Sequence, residues 1–205
     1  LAPSVPQEIH KLSTRYLGPA GKGTALKAVF EAAVLTRARA CVVVDSDLRS
    51  ITPDWINLLA RPMLDGGAGY VAPLYLRHKY DGTITNSLAY PLTRALYGKR
   101  VRQPIGGDFG FSGELAARLI EKDVWQSTAA QFGIDIFMTT TAINEGFEIN
   151  QARLGTKIHD AKDPALHLAP MFRQVVGTMF SLMRVYEQNW LAVTGSEPVS
   201  ADGAT

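Results

Sequence analysis

Cysteine is all but missing from these 205 residues: only Cys41 is present, so no intramolecular disulfide framework can hold the fold. Unpaired thiols suit a reducing compartment, and a cytoplasmic location is expected. No stretch reaches the roughly eighteen consecutive apolar residues that a membrane span needs. No secretory signal opens the sequence either, so a soluble protein is expected. Charge of one sign is also lacking. A formal net charge of +2 does not announce nucleic acid or a membrane surface. There is no internal repeat. What remains is 46% hydrophobic and 20% charged, the profile of one ordinary globular domain with a full core. The chain starts at Leu1 and runs at once into proline-rich sequence, so a segment of a longer protein is expected.

Residues 1 to 20 hold three prolines and little periodicity, and are read as a loop. Apolar residues at Leu26, Val29, Phe30, Ala33 and Val34 predict a helix over 25–37. The run Cys41-Val42-Val43-Val44 does not alternate, so it predicts a strand buried on both faces in the middle of a parallel sheet. Thr52-Pro53 is a helix start, with Asp65-Gly66-Gly67 as its stop. A strand over 70–75, helices over 86–97, 114–122 and 135–145, a strand over 147–154 and a long helix over 166–190 complete the pattern. The tail from Thr194, rich in Gly, Ser, Ala and Asp, is expected to be disordered, with 191–205 outside the domain.

Chemistry gathers at loop positions. Asp45 and Asp47 follow the valine run, and open α/β sheets place their ligands beyond the carboxyl ends of the strands. Paired carboxylates are hard ligands for Mg²⁺ or Mn²⁺ and through it a diphosphate; the alternative is a solvated turn that caps the next helix. Gly21-Lys22-Gly23-Thr24 opens a helix, a place for phosphate or simply a flexible turn. The glycine-rich run 103–113 allows close backbone approach to a ligand, making it a candidate substrate loop as against a plain surface turn. His159 is either a surface residue or the completion of a metal site with the two aspartates. The basic residues Arg77, His78, Lys79, Lys99, Arg100 and Arg102 form a solvated face or meet an anionic substrate.

Taken in order, Gly21-Lys22-Gly23, Val42-Val43-Val44-Asp45-Ser46-Asp47-Leu48, Gln103-Pro104-Ile105-Gly106-Gly107-Asp108, Gly133-Ile134-Asp135-Ile136 and His159 before a long helix resemble the nucleotide-sugar glycosyltransferases of the A-type fold. The similarity is greatest to the retaining glucosyl-3-phosphoglycerate and mannosylglycerate synthases. The resemblance implies a Rossmann-like α/β fold with a mostly parallel central sheet. Because Asp45 comes early for that fold, it also implies that the N-terminal strands that hold the base are missing, so that 1–190 is an N-terminally incomplete catalytic domain.

It further implies a donor site of Lys22, Gly23, Asp45, Ser46 and Asp47. Asp47, His159 and Asp45 would hold Mg²⁺ or Mn²⁺, and Gly106, Gly107, Asp108 and Phe109 would hold the acceptor. Asp135 would face the donor sugar, and Asp108 or Asp135 would be the general base were the reaction inverting; each is an aspartate where the family has glutamate. The expected activity is transfer of a hexose, with retention, from a UDP- or GDP-linked donor to a small, polar, anionic acceptor such as glycerate or phosphoglycerate. No nucleic-acid partner is expected, and a homodimer is left open.

Two other readings compete. A P-loop nucleotide hydrolase would place Lys22 on phosphate and Asp45 at the end of a Walker B strand. Its first glycine falls on Tyr16, and Lys22 is followed by Gly23 rather than Ser or Thr. A non-catalytic sugar-binding or scaffold relative would keep the same fold.

Overall fold

A computed structural model describes residues 15–76, 82–158 and 164–203. Arg77, His78, Lys79 and His159 therefore lie outside the described residues.

The first helix, α1 (Lys22–Leu35), buries Leu26, Phe30 and Ala33. It is followed by β1 (Cys41–Val43), α2 (Pro53–Asp65) and β2 (Tyr70–Leu76). A single π-helical turn over Thr85–Ala89 runs into α3 (Tyr90–Tyr97), and the short β3 (Lys99–Arg100) leads to β4 (Phe109–Phe111). Then come α4 (Gly113–Ile120), α5 (Ile134–Asn144), β5 (Ile149–Thr156), α6 (Pro164–Val185) and α7 (Glu187–Leu191). Two short strands, β6 (Glu197–Pro198) and β7 (Ala201–Asp202), close the described chain.

The main sheet has the order β1-β4-β2-β5-β7. It is mixed: β4 runs antiparallel to both β1 and β2, while β2–β5 and β5–β7 are parallel. The valine run is at the edge of this sheet and half-buried, not in its middle. Its lack of alternation has a clear cause all the same. Cys41 and Val43 pack on the cluster around Phe30 and Phe109, whereas Val42 and Val44 pack on the one around Trp55 and Leu59. Both faces are thus apolar, and exposure enters along the strand's other edge, which has no partner among the described residues.

The first cluster is built on aromatic contacts. Tyr70 stacks on Phe109 at 5.5 Å, and Phe30 meets Phe111 edge-on at 5.2 Å; fully burying each ring contributes about 2–3 kcal/mol. Helix α5 is buried from Ile134 to Ala142 without a polar face, as expected of a helix enclosed between the sheet and α6.

The tail departs from its expected disorder. β7 pairs with β5, Arg153 donates to Ala201 O, Asn150 donates to Asp202, and Lys99 pairs with Glu197. Order here comes from backbone hydrogen bonds at an open sheet edge and from side-chain clamps. Composition does not register these, because they bury little apolar surface.

Candidate active site

The carboxyl end of β1 turns sharply at 45–48. The Asp45 N–H donates to Asp108 Oδ1 at 2.8 Å, which ties the start of this turn to the residue just before β4. The far side of the turn is also fixed. Arg49 N–H donates to Ile158 O, and Ile158 N–H donates to Ser50 Oγ, each at 2.9 Å. Lys157 and Ile158, just past β5, are thereby brought beside the Asp45–Asp47 turn, as the parallel β2–β5 pairing directs both strand ends to the same side of the sheet.

Five charged side chains then form an alternating chain. Asp135, in the first turn of α5, lies 3.0 Å from Lys22 Nζ at the start of α1. Lys22 also reaches Asp45 Oδ1 at 3.4 Å, and the other oxygen of Asp45 lies 2.9 Å from Lys157 Nζ. Lys157 continues to Asp108 Oδ2 at 2.8 Å and to Gly106 O at 2.8 Å. Tyr75 OH donates to the same Asp108 oxygen, and its ring lies 5.1 Å beneath the Lys157 ammonium.

Both ends of the chain are buried and its middle is the most exposed, with the Asp135 side chain 6% exposed. The side chain of Asp108 is 0% exposed and that of Lys157 4%, while those of Lys22 and Asp45 are 29% and 26% exposed. Opposite charges in a poorly solvated site sustain each other's ionisation. Burial opposes the charge on Lys22, but Asp135 and Asp45 outweigh it and hold its ammonium well above the ordinary lysine range. Burial alone would raise the Asp45 carboxyl; Lys22 and Lys157 reverse this and hold it below its ordinary value.

The substrate loop is held from within. Thr139 donates to Pro104 O at 2.9 Å and contacts Tyr70 OH at 2.8 Å; Thr85 donates to Ile105 O, and Lys157 to Gly106 O. Three consecutive carbonyls are thus satisfied by side chains from three different elements. Gly107 has φ +85°, and a Cβ there would overlap Asp45 Oδ2. Glycine is required on both counts.

The sequence thus locates Lys22, Asp45, Asp108 and Asp135 in one constellation, with Gly106 and Gly107 against it. Ser46 is exposed on the turn and Asp47 half-buried beside it. Several expectations need correction. Asp108 was expected to touch the acceptor or serve as a base, but its carboxylate is fully enclosed by Asp45 N–H, Tyr75 OH and Lys157, so it acts as an anchor. Phe109 is wholly buried on Tyr70 and belongs to the core, not to an acceptor surface. Gly23 faces the 129–130 turn, where a Cβ would overlap Ala129 O, so its smallness serves packing. Asp45, expected among the metal ligands, has both oxygens committed to lysines. Arg100 is tied to Ser196, and Arg102 to Asn86 and the Tyr90 ring.

Lys157 and Tyr75 were overlooked among the site residues. The signal for Lys157 was its place just past a strand end, in register with the end of β2; it was obscured by the charged residues that follow.

Among the described residues no three His, Cys, Asp or Glu groups form a metal cluster. The donor set still fits a hard divalent ion in part. Asp47 offers a carboxylate on the turn, and His159, outside the described residues, follows Ile158, which is bonded to that turn. A groove of about 510 Å³ opens next to the substrate loop, with Thr83, Ile84, Ser87 and Leu88 on one wall and Phe172 and Arg173 of α6 on the other.

No family model matches this chain, and no curated protein does. Solved structures do. Glucosyl-3-phosphoglycerate synthase from Mycobacterium tuberculosis, in complex with Mn²⁺, UDP and phosphoglyceric acid, is 28% identical with a TM-score of 0.63, over 80% of this chain and 54% of that one. The fold is that of the A-type nucleotide-sugar glycosyltransferases. The same enzyme with Mn²⁺, UDP-glucose and phosphoglyceric acid matches at a TM-score of 0.66 and 28% identity, over 89% of this chain and 63% of that one. Its complex with Mg²⁺ and UDP matches at 0.64 and 28%, over 80% and 55%. The chain spans little more than half the length of these glycosyltransferases. No helix among the described residues is long and apolar enough to cross a membrane.

Proposed function

We propose that this chain carries the donor site of a metal-dependent glycosyltransferase that moves a hexose from a nucleotide-diphosphate sugar to a small, polar, anionic acceptor. The observation that carries the proposal is the Asp45–Asp47 turn, held at the carboxyl end of β1 by Lys22, Lys157 and Asp108. The matched enzyme binds Mn²⁺ or Mg²⁺ together with UDP, and takes UDP-glucose alongside glycerol 3-phosphate or phosphoglyceric acid. That supports a similar donor and acceptor class here.

In this proposal Asp47 and His159 would hold the divalent ion, which when bound would supply a Lewis acid for the charge of the donor diphosphate. Asp45, its carboxylate fixed by two lysines, orients the donor instead. Lys22 couples Asp45 to Asp135, so the carboxylate facing the sugar is placed by the same ammonium that places the donor turn. The acceptor lies over Gly106 and Gly107 and extends into the neighbouring groove, where Arg173 supplies positive charge. An inverting enzyme needs a carboxylate base within reach of the acceptor hydroxyl. Asp108 is enclosed and Asp135 is 4% exposed and paired with Lys22, which favours retention, with Asp135 steadying the cationic sugar.

The test is release of nucleoside diphosphate from a panel of UDP- and GDP-sugars with Mn²⁺, with ATP alongside. Mn²⁺-dependent cleavage of a nucleotide-sugar, and an α-linked product by NMR from an α-linked donor, are expected. Cleavage of ATP alone would establish the hydrolase, and cleavage of neither a scaffold. A β-linked product would refute retention.

A further inference from the structure

Lys157 is the most enclosed cation in the site, and it supplies the side-chain link between the donor turn and the substrate loop, beside the backbone bond from Asp45 N–H to Asp108 Oδ1. Its Nζ donates to Asp45 Oδ2 at 2.9 Å on the donor turn, and to Gly106 O and Asp108 Oδ2, each at 2.8 Å, on the substrate loop. These bonds use all three ammonium protons. With its side chain 4% exposed and the ring of Tyr75 against it, Lys157 has no donor left for a ligand. It therefore acts through its partners. Asp45 in turn has one oxygen on each lysine, so a shift of the turn is felt by Asp135 through Lys22 and by the loop through Lys157. Charge-assisted bonds in a dry site are short, directional and costly to leave unmade.

We infer that Lys157 is a positioning residue that couples the donor turn to the acceptor loop, so that occupation of one orders the other. The inference rests on the proposed function for the identity of the two sites, but the mechanical link between residues 45 and 106–108 stands on geometry alone. A strut of this kind separates two effects. Without it the turn keeps its own anchors, Asp45 N–H on Asp108 and Arg49 N–H on Ile158 O, and still presents Asp47 to a metal and a diphosphate. The loop, however, keeps only the Asp45 N–H bond to Asp108 and loses the side-chain strut, so it responds more weakly to the donor.

The experiment is hydrogen exchange by mass spectrometry on the full chain, ligand-free and with Mn²⁺ plus UDP or GDP. In the native protein the diphosphate should slow exchange in both 41–50 and 103–111. In Lys157→Met the ligand-free protein should exchange about tenfold faster in those two segments together, and the diphosphate should slow 41–50 as before but 103–111 much less than in the native protein. Lys157→Arg, which keeps the charge and several donors, should restore part of the coupling. Should Lys157→Met fail to fold because Asp108 is left buried and unpaired, Lys157→Met/Asp108→Asn removes both charges and is expected to show the same uncoupling. The inference is overturned if the diphosphate protects 103–111 as strongly in the folded variant as in the native protein, or if the ligand-free loosening is confined to the neighbourhood of residue 157. If the diphosphate protects neither segment of the native protein, the proposed function fails, and the ligand-free comparison still decides the role of Lys157.

Discussion

Replacing Gly107 by alanine tests how tightly the substrate loop is fitted to the donor turn. Gly67 supplies the control, because it shares a positive φ, +77° against +85°, yet an added Cβ there meets nothing within 4 Å. The backbone cost of alanine in this region is about 1 kcal/mol at either position. At Gly107 the methyl must also displace the Asp45 carboxylate, breaking its bond to Lys157. Losing a hydrogen bond between charged groups adds about 1.5–3 kcal/mol. For a chain of this size 1 kcal/mol corresponds to about 2–4 °C in Tm, so Gly67→Ala should lower Tm by about 3 °C and Gly107→Ala by about 10 °C. Differential scanning fluorimetry reads the first quantity, and Mn²⁺-dependent nucleotide-sugar cleavage reads a second that only Gly107→Ala should lose. Equal losses of Tm in the two variants, with turnover retained in both, would refute the fit between Gly107 and Asp45.

Two other predictions concern separate regions. Arg173→Glu should raise the acceptor KM at least about tenfold while leaving donor KM and Tm unchanged, because the residue is exposed on the groove wall; an unchanged acceptor KM would move the acceptor out of that groove. Glu145, which joins α5 to Lys122 near the end of α4, has a carboxyl held below its ordinary value, first by the hydrogen bond from Lys122. A depressed carboxyl pKa contributes stability above the unfolded value and loses it as pH falls. Glu145→Gln should therefore lower Tm by about 1–2 °C at pH 7. The difference should vanish below about pH 4, whereas one independent of pH would exclude the ion pair as its cause.

Much of this architecture was legible in sequence because helices and paired strands impose short periods. The starts of α2 and α5, the valine run and the long helix before Tyr186 all fall near their expected places. The position of β1 at the sheet edge was not legible, since a continuous apolar run reports two apolar faces and says nothing about how many neighbours a strand has. β4 was hidden in the glycine-rich run 103–113, where only three residues, Phe109–Phe111, pair with β1 and β2. At the site, the sequence pointed to the acids and Lys22 through spacing within known patterns. It could not show that Asp108 and Lys157, forty-nine positions apart, neutralise each other in the interior, because that depends on the register of β2 against β5. The place of Phe109 was not legible for a related reason: loop composition does not reveal which side chains turn toward the core.

The account stands most directly on whether the Asp45–Asp47 turn binds a metal-diphosphate. Electron paramagnetic resonance of Mn²⁺ titrated with the full chain, with and without UDP or GDP, measures this without requiring turnover or an identified acceptor. The free-ion signal should fall further when protein and the matching nucleoside diphosphate are present together than with the diphosphate alone. That further fall should be absent in folded Asp47→Ala, a substitution at a half-buried turn position. Equal Mn²⁺-diphosphate binding by native protein and folded Asp47→Ala, or none by either, would contradict the assignment of this turn as the donor site.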